Sequence, residues 1–287
     1  MSTMGTGRHT VSSFDEELMG VRAKIAEMGG LAEKLLDEAL DAIERRDVET
    51  AEQVIASDRR LDKLEHETEE LVIRTIALRA PVATDLRLLV AAMKASATLE
   101  RIGDLAKSTA RRSIDLTHER PMRVAGSLVR MGRAVQRQLS DALNAYSARD
   151  SQAALAVWRR DVEIDELYNA LFREMVTYMM EDPRTITLGS HCLFMAKNLE
   201  RIGDHATHLA EMTWYVVEGE PLTADRPRAP RGYGNEPLDE AKAPDASSAP
   251  DEQARARAIP RLDPGRAAAA LRRRRPCAAA QTGDDPS

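Results

Sequence analysis

The 287-residue sequence predicts an all-α protein: two tandem three-helix bundles built on an internal repeat, then a disordered C-terminal tail. Three observations predict it. Across the first 220 positions apolar residues step by three and four, the period of a helix with one buried face, rather than by two as in a strand. The hexapeptide Leu-Glu-Arg-Ile-Gly-Asp occurs at 99–104 and again at 199–204, with alanine two positions after each copy (Ala106, Ala206). Ten of the thirteen prolines lie after Glu220, where the chain is rich in Ala, Pro, Asp and Arg and has Tyr233 as its one aromatic residue. Such a segment buries too little apolar surface to offset its ordering entropy.

The elements follow in order. The stretch before Phe14 is irregular. A first helix then runs to the breaker Arg46-Asp47, and a second to Ala80-Pro81, with Leu61, Leu64, Thr68, Leu71, Thr75 and Leu78 as its apolar stripe. The third carries the first hexapeptide and stops at Arg120-Pro121; the fourth ends at Ala148-Arg149-Asp150 and the fifth at Asp182-Pro183. Asp182 suits the start of a sixth helix, because its carboxylate can cap free amides and proline is tolerated at the first helical position. The sixth stripe is Leu188, Cys192, Met195, Leu199, Ile202, Ala206, Leu209 and Thr213, and the helix ends near Gly219. Upstream of each hexapeptide lies an Asp-x-x-x-Asp pair, Asp58/Asp62 and Asp161/Asp165, with a proline between pair and hexapeptide. Two three-helix units, 14–118 and 122–218, account for the repeat, and 219–287 is the tail.

Charge divides the same way. Of 41 basic and 47 acidic residues, 12 and 10 fall after Glu220, so the helical body carries −8 and the tail +2. An acidic body in a chain with 3% aromatic residues excludes nucleic acid as the main partner. No stretch approaches the roughly 18 apolar residues of a membrane span, and the start lacks the apolar core of a secretion signal. A cytoplasmic location is expected. Cys192 and Cys277 match no metal or redox spacing, and the run Arg272 to Arg275 reads as a solubilising segment.

The repeated carboxylates carry the functional argument. Residues four apart share a helix face, which pairs Asp58 with Asp62 and Glu100 with Asp104. A hairpin mirrored at Pro81 sets Asp62 opposite Glu100 and Asp58 opposite Asp104; in the second unit a turn between Asp182 and Pro183 sets Asp165 opposite Glu200 and Asp161 opposite Asp204. Four carboxylates at one height repel unless a cation compensates them, and oxygen-rich sets suit Mg²⁺, Mn²⁺, Ca²⁺ or iron. Because Glu200 and Asp204 flank the apolar stripe, the expected site is a surface groove. The alternative is a metal-free network neutralised by Arg59, Arg60, Lys63, Arg101 and Lys107. Catalysis is not expected: there is no Glu-x-x-His of the bundle oxidases, no phosphate-cradling glycine loop and no nucleophile with an evident base. A metal-dependent hydrolase or oxidase is the rival reading. His205 and His208 read as solvated, since Leu105 and Ser108 replace them in the first copy, and Gly103 and Gly203 read as sites of close packing.

The doubled hexapeptide, Pro-Val-Ala-Thr-Asp-Leu-Arg from Pro81 to Arg87, and Met-Glu-Asp-Pro-Arg at 180–184 resemble the PhoU family of phosphate-specific transport accessory proteins over about residues 14–218. That resemblance implies a cytosolic, dimeric, non-catalytic protein that represses phosphate uptake and phosphate-starvation genes when phosphate is plentiful. It implies contacts with a sensor histidine kinase (PhoR-like) and with the ATPase subunit of the phosphate importer (PstB-like), without membrane insertion. It also implies metal ions (iron, manganese, magnesium or zinc) on Asp58, Asp62, Glu100, Asp104, Asp161, Asp165, Glu200 and Asp204. Arg101, Arg201, Asp85 and Arg87 are candidates for support or partner contact. The tail lies outside the usual family layout.

Overall fold

Six α-helices follow one another in the computed structural model, which describes residues 6–117, 125–223 and 226–229, with side chains from Phe14 onward. They are α1 (Thr6–Arg45), α2 (Val48–Arg79), α3 (Ala83–Thr117), α4 (Ala125–Ala148), α5 (Ser151–Glu181) and α6 (Ile186–Glu218), with a 3₁₀ turn at Pro183–Thr185 before α6. No strand occurs among the described residues. The break expected at Arg120-Pro121 and the tail from residue 230 onward, Cys277 and Arg272 to Arg275 included, lie outside them.

The turns explain why long helices stop where they do. Arg46 and Arg149 take the left-handed conformation (φ 57° and 55°), which costs an L-residue roughly 1 kcal/mol. The aspartate that follows offsets this. Asp47 accepts hydrogen bonds from the N–H groups of Glu49 and Thr50 at 3.0 and 3.3 Å, and Asp150 from those of Gln152 and Ala153 at 2.9 and 3.0 Å. Each cap contributes about 1 kcal/mol, so the repeat extends to its hairpin turns. Two boundaries differ from expectation. Residues 6–13 are helical rather than irregular, since α1 starts at Thr6, and Asp182 caps the 3₁₀ turn through the Arg184 N–H at 3.1 Å, so α6 starts three residues past Pro183.

Within each half the three helices pack on one another, and the halves meet along α3 with α6 and α1 with α4. The described residues belong to one compact unit, 1–232. The sixth stripe is buried along its whole length. The stripe of α2 is buried at Leu61, Leu64, Thr68 and Thr75 but fails in its last turn, where Leu78 is 63% exposed while the adjacent Arg79 turns to Glu17 of α1, and Val72 is buried on the inner face.

Along the α3/α6 seam Asn198 donates to the Ser108 hydroxyl at 3.1 Å, the Arg112 guanidinium stands 4.4 Å from the Phe194 ring centre, and His191 approaches Asp115 at 3.4 Å. In each pair the two residue numbers sum to 306, so the helices run antiparallel. Gly103 and Gly203 fall at the same level, which is the local two-fold point of the repeat.

Candidate functional site

Both carboxylate sets lie where α2 meets α3 and α5 meets α6. In the first, Gly103 is what lets the helices close: a Cβ there would stand 2.4 Å from Leu61 Cδ2 and 3.2 Å from Asp58 Oδ1. Asp58 is consequently 1% exposed, and the groove expected at the surface has a buried floor. The Lys107 ammonium donates to Asp58 Oδ2 and, at 3.0 Å, to Asp104 Oδ1, while Asp58 Oδ1 has no hydrogen-bond partner. Burial pushes the Asp58 carboxyl up and Lys107 pulls it back. Glu100 is pushed up to about 7, by burial first and by Asp104 next.

One residue of this set escaped the register argument. Glu100 is flanked by Asp104, Arg101 and Glu65, and Glu65 is raised mainly by its own burial. Asp62, expected opposite Glu100, neighbours Asp58 and Glu65 on α2. The pairing of Asp58 with Lys107 and the packing of Leu61 on Gly103 set α3 slightly further along α2 than a mirror at Pro81 would, so Glu65, nearly one turn beyond Asp62, comes near Glu100.

The second set assembles as the spacing predicts. Asp161, Asp165 and Asp204 are mutual neighbours, and Glu200 faces Asp204 and Asp165. Burial raises the carboxyls of Asp165 and Glu200. Asp161, 3% exposed, accepts at Oδ1 from Gln138 (3.1 Å) and Thr207 (2.8 Å). Its Oδ2 meets the Arg226 guanidinium at 2.6 Å, and the same guanidinium nitrogen lies 2.8 Å from Asp204 Oδ1. Arg226 comes from beyond Gly219, the stretch expected to be disordered. Residues 226–229 instead lie against α5 and α6, with the Ala229 N–H donating to Asp165 Oδ2 at 3.3 Å.

With Lys107 and Arg226 holding the innermost carboxylates, no three Asp, Glu, His or Cys side chains among the described residues stand ready as a metal-ligand set. Between the two sets, at the seam, a depression of about 690 Å³ is lined by Arg101, Lys107, Arg111, Arg201, Asp204 and His205. Arg101 and Arg201 thus border the shared depression, with Arg101 also 3.6 Å from Glu100. His205 is half-buried, not solvated, and burial lowers its pKa; His208 pairs with Glu211 at 3.3 Å. Asp85 sits in the first turn of α3. Arg87 donates to Thr84 at 3.1 Å and lies under Gly219, tying the start of α3 to the end of α6.

Comparison with known proteins places both bundles. The family model described as PhoU domain matches residues 25–113 and 128–213. The chain is 52% identical over 221 residues to the phosphate-specific transport system accessory protein PhoU homolog of Caulobacter vibrioides NA1000, covering 77% of this chain and 96% of that protein. It is 47% identical over 214 residues to the homolog of Zymomonas mobilis, covering 75% and 90%. The crystal structure of PhoU from Pseudomonas aeruginosa superposes with a TM-score of 0.71 at 39% identity, over 72% of this chain and all of that one.

Proposed function

Because the chain belongs to the PhoU family, we propose that it is a regulatory accessory protein of phosphate-specific transport. It restrains phosphate uptake and the phosphate-starvation response when phosphate is plentiful. The observation that carries this reading is the match of the family over both bundles, 25–113 and 128–213. In this reading the protein works as a cytoplasmic homodimer, by contact with the importer's ATPase subunit and with a sensor histidine kinase, and not by catalysis. Among the described residues no helix is long and apolar enough to cross a membrane, which accords with association through partners.

The carboxylate sets extend the proposal to cation binding. The second brings Asp161, Asp165, Glu200 and Asp204 together against Arg226 and Lys197, so two negative charges remain uncompensated. In the first, Asp58 keeps a buried oxygen without a donor and Glu100 is raised to about 7. Oxygen donors with surplus negative charge fit iron, manganese, magnesium or zinc, provided Lys107 and Arg226 swing away. Those two ion pairs favour a second reading, in which the clusters are permanent salt-bridge networks.

Two experiments test these readings. Deletion of the gene raises phosphatase expression and phosphate uptake in phosphate-rich medium, and the full-length chain restores repression; unchanged expression and uptake would remove the regulatory reading. Metal analysis of purified protein shows less bound metal in Asp58→Ala/Glu100→Ala than in wild type. Equal content removes these residues as ligands.

A further inference from the structure

The two halves neutralise equivalent carboxylates from different places. Lys107 bridges Asp58 and Asp104 from within α3. The equivalent position in the second copy is Thr207, an uncharged residue that donates to Asp161. The missing cation is supplied by Arg226, eight residues past the end of α6, whose guanidinium nitrogen lies within ion-pair distance of both Asp161 and Asp204. Its side chain is 18% exposed. Ala229 is 7% exposed and donates its N–H to Asp165, so residues 226–229 are held by two independent polar contacts to three of the four carboxylates.

This asymmetry has a consequence for any ion entering the second set. Lys107 can leave the first set by changing its own rotamer, because α3 anchors its backbone. In the second set the Arg226 side chain and the Ala229 N–H both engage carboxylates, so an ion that takes Asp161, Asp165 and Asp204 displaces contacts at both ends of 226–229. We infer that residues 226–229 form a strap that occupies the cation position of the second carboxylate set, so that divalent-cation binding there and attachment of the strap are mutually exclusive. The inference rests on the cation reading of the clusters. It makes the chain that leaves the second bundle a reporter of cation occupancy, through competition for Asp161, Asp165 and Asp204.

The coupling is measurable with Mn²⁺ as the probe. A ligand whose competent state is only fractionally populated binds more weakly by that fraction, so a strap closed nine-tenths of the time or more weakens Mn²⁺ binding by about tenfold or more. Full-length chains are compared with the first set disabled in all of them by Glu100→Gln and Asp104→Asn. Calorimetric titration yields Mn²⁺ binding at least about tenfold tighter in Arg226→Ala than in this parent, on the same arithmetic. Ala229→Pro lacks the N–H that holds Asp165, leaves every carboxylate and Arg226 in place, and also tightens binding; it carries the test if Arg226→Ala misfolds. In the parent, saturating Mn²⁺ speeds hydrogen exchange at the amides of Arg228 and Ala229. Equal Mn²⁺ affinity in all three chains with unchanged exchange overturns the strap while leaving the cation reading intact. Absence of Mn²⁺ binding in every chain overturns both.

Discussion

Lys107→Ala isolates the ion pair at the centre of the first bundle. Asp58 is 1% exposed, and Lys107 is the one hydrogen-bond donor to it among the described residues, since its other oxygen has none. Removing one partner of a fully buried pair costs about 3–5 kcal/mol, because the remaining charge is left unpaired. The Lys107 side chain is 28% exposed, so water reaches the vacated space and the cost falls to about 2–3 kcal/mol. For a folded body of this size that is a drop in Tm of about 4–12 °C, read by the loss of helical circular dichroism on heating. Asp58→Asn added to Lys107→Ala removes the stranded charge and recovers at least half of the loss. A drop of less than about 1 °C, on the same scale, or a double variant no more stable than Lys107→Ala, would refute the view that Lys107 neutralises Asp58.

Other outcomes follow from the packing. Gly103→Ala lowers Tm, because the new Cβ meets Leu61 at 2.4 Å and overpacking of about 1–3 kcal/mol exceeds the roughly 1 kcal/mol gained in helix propensity; Gly203→Ala, whose Cβ stands 3.3 Å from Ile164, leaves Tm unchanged or higher, and the reverse order contradicts the geometry. Burial pushes the Cys192 thiol up to about 11, so in a Cys277→Ser background a thiol reagent at pH 8 labels Cys192 only as the protein unfolds; rapid labelling of the native protein is the contrary result. Burial also raises the Tyr146 phenol to about 12, beside an apolar hollow of about 310 Å³ bounded by Leu18, Val21, Leu89 and Val216. The unfolded chain loses that proton near pH 10 while the native one keeps it, so stability falls as pH rises from about 10 to 12. Tyr146→Phe flattens that decline.

Much of this was legible in the residues. Apolar spacing revealed six helices, and the duplicated hexapeptide with its upstream aspartates located both carboxylate sets. Asp161, Asp165, Glu200 and Asp204 could be assembled by counting from the turn at Asp182-Pro183. The same counting missed Glu65, since the register of α2 on α3 is set by contacts such as Leu61 on Gly103 and not by the residue at the middle of the turn. Leu78 looked like a stripe residue because periodicity records which side of a helix is apolar, not which positions on that side a neighbour covers. Arg226 could not be found by periodicity at all. Its partners depend on the path of a non-helical segment after Gly219, and the surrounding prolines and charges have the composition of disorder. The one available signal was Thr207 at the place of Lys107, a missing positive charge beside aspartates that both copies retain.

The seam between α3 and α6 bears on how such a chain can diverge. A surface that pairs with another copy of itself about a two-fold axis must be self-complementary, and every substitution in it is made twice. Joining the copies in one polypeptide lifts that constraint: Ser108 can meet Asn198 while their counterparts, His208 and Thr98, differ from both. The duplication keeps the geometry of a symmetric pair yet lets each half mutate alone, which is the freedom that allows lysine on one side of the axis and threonine on the other.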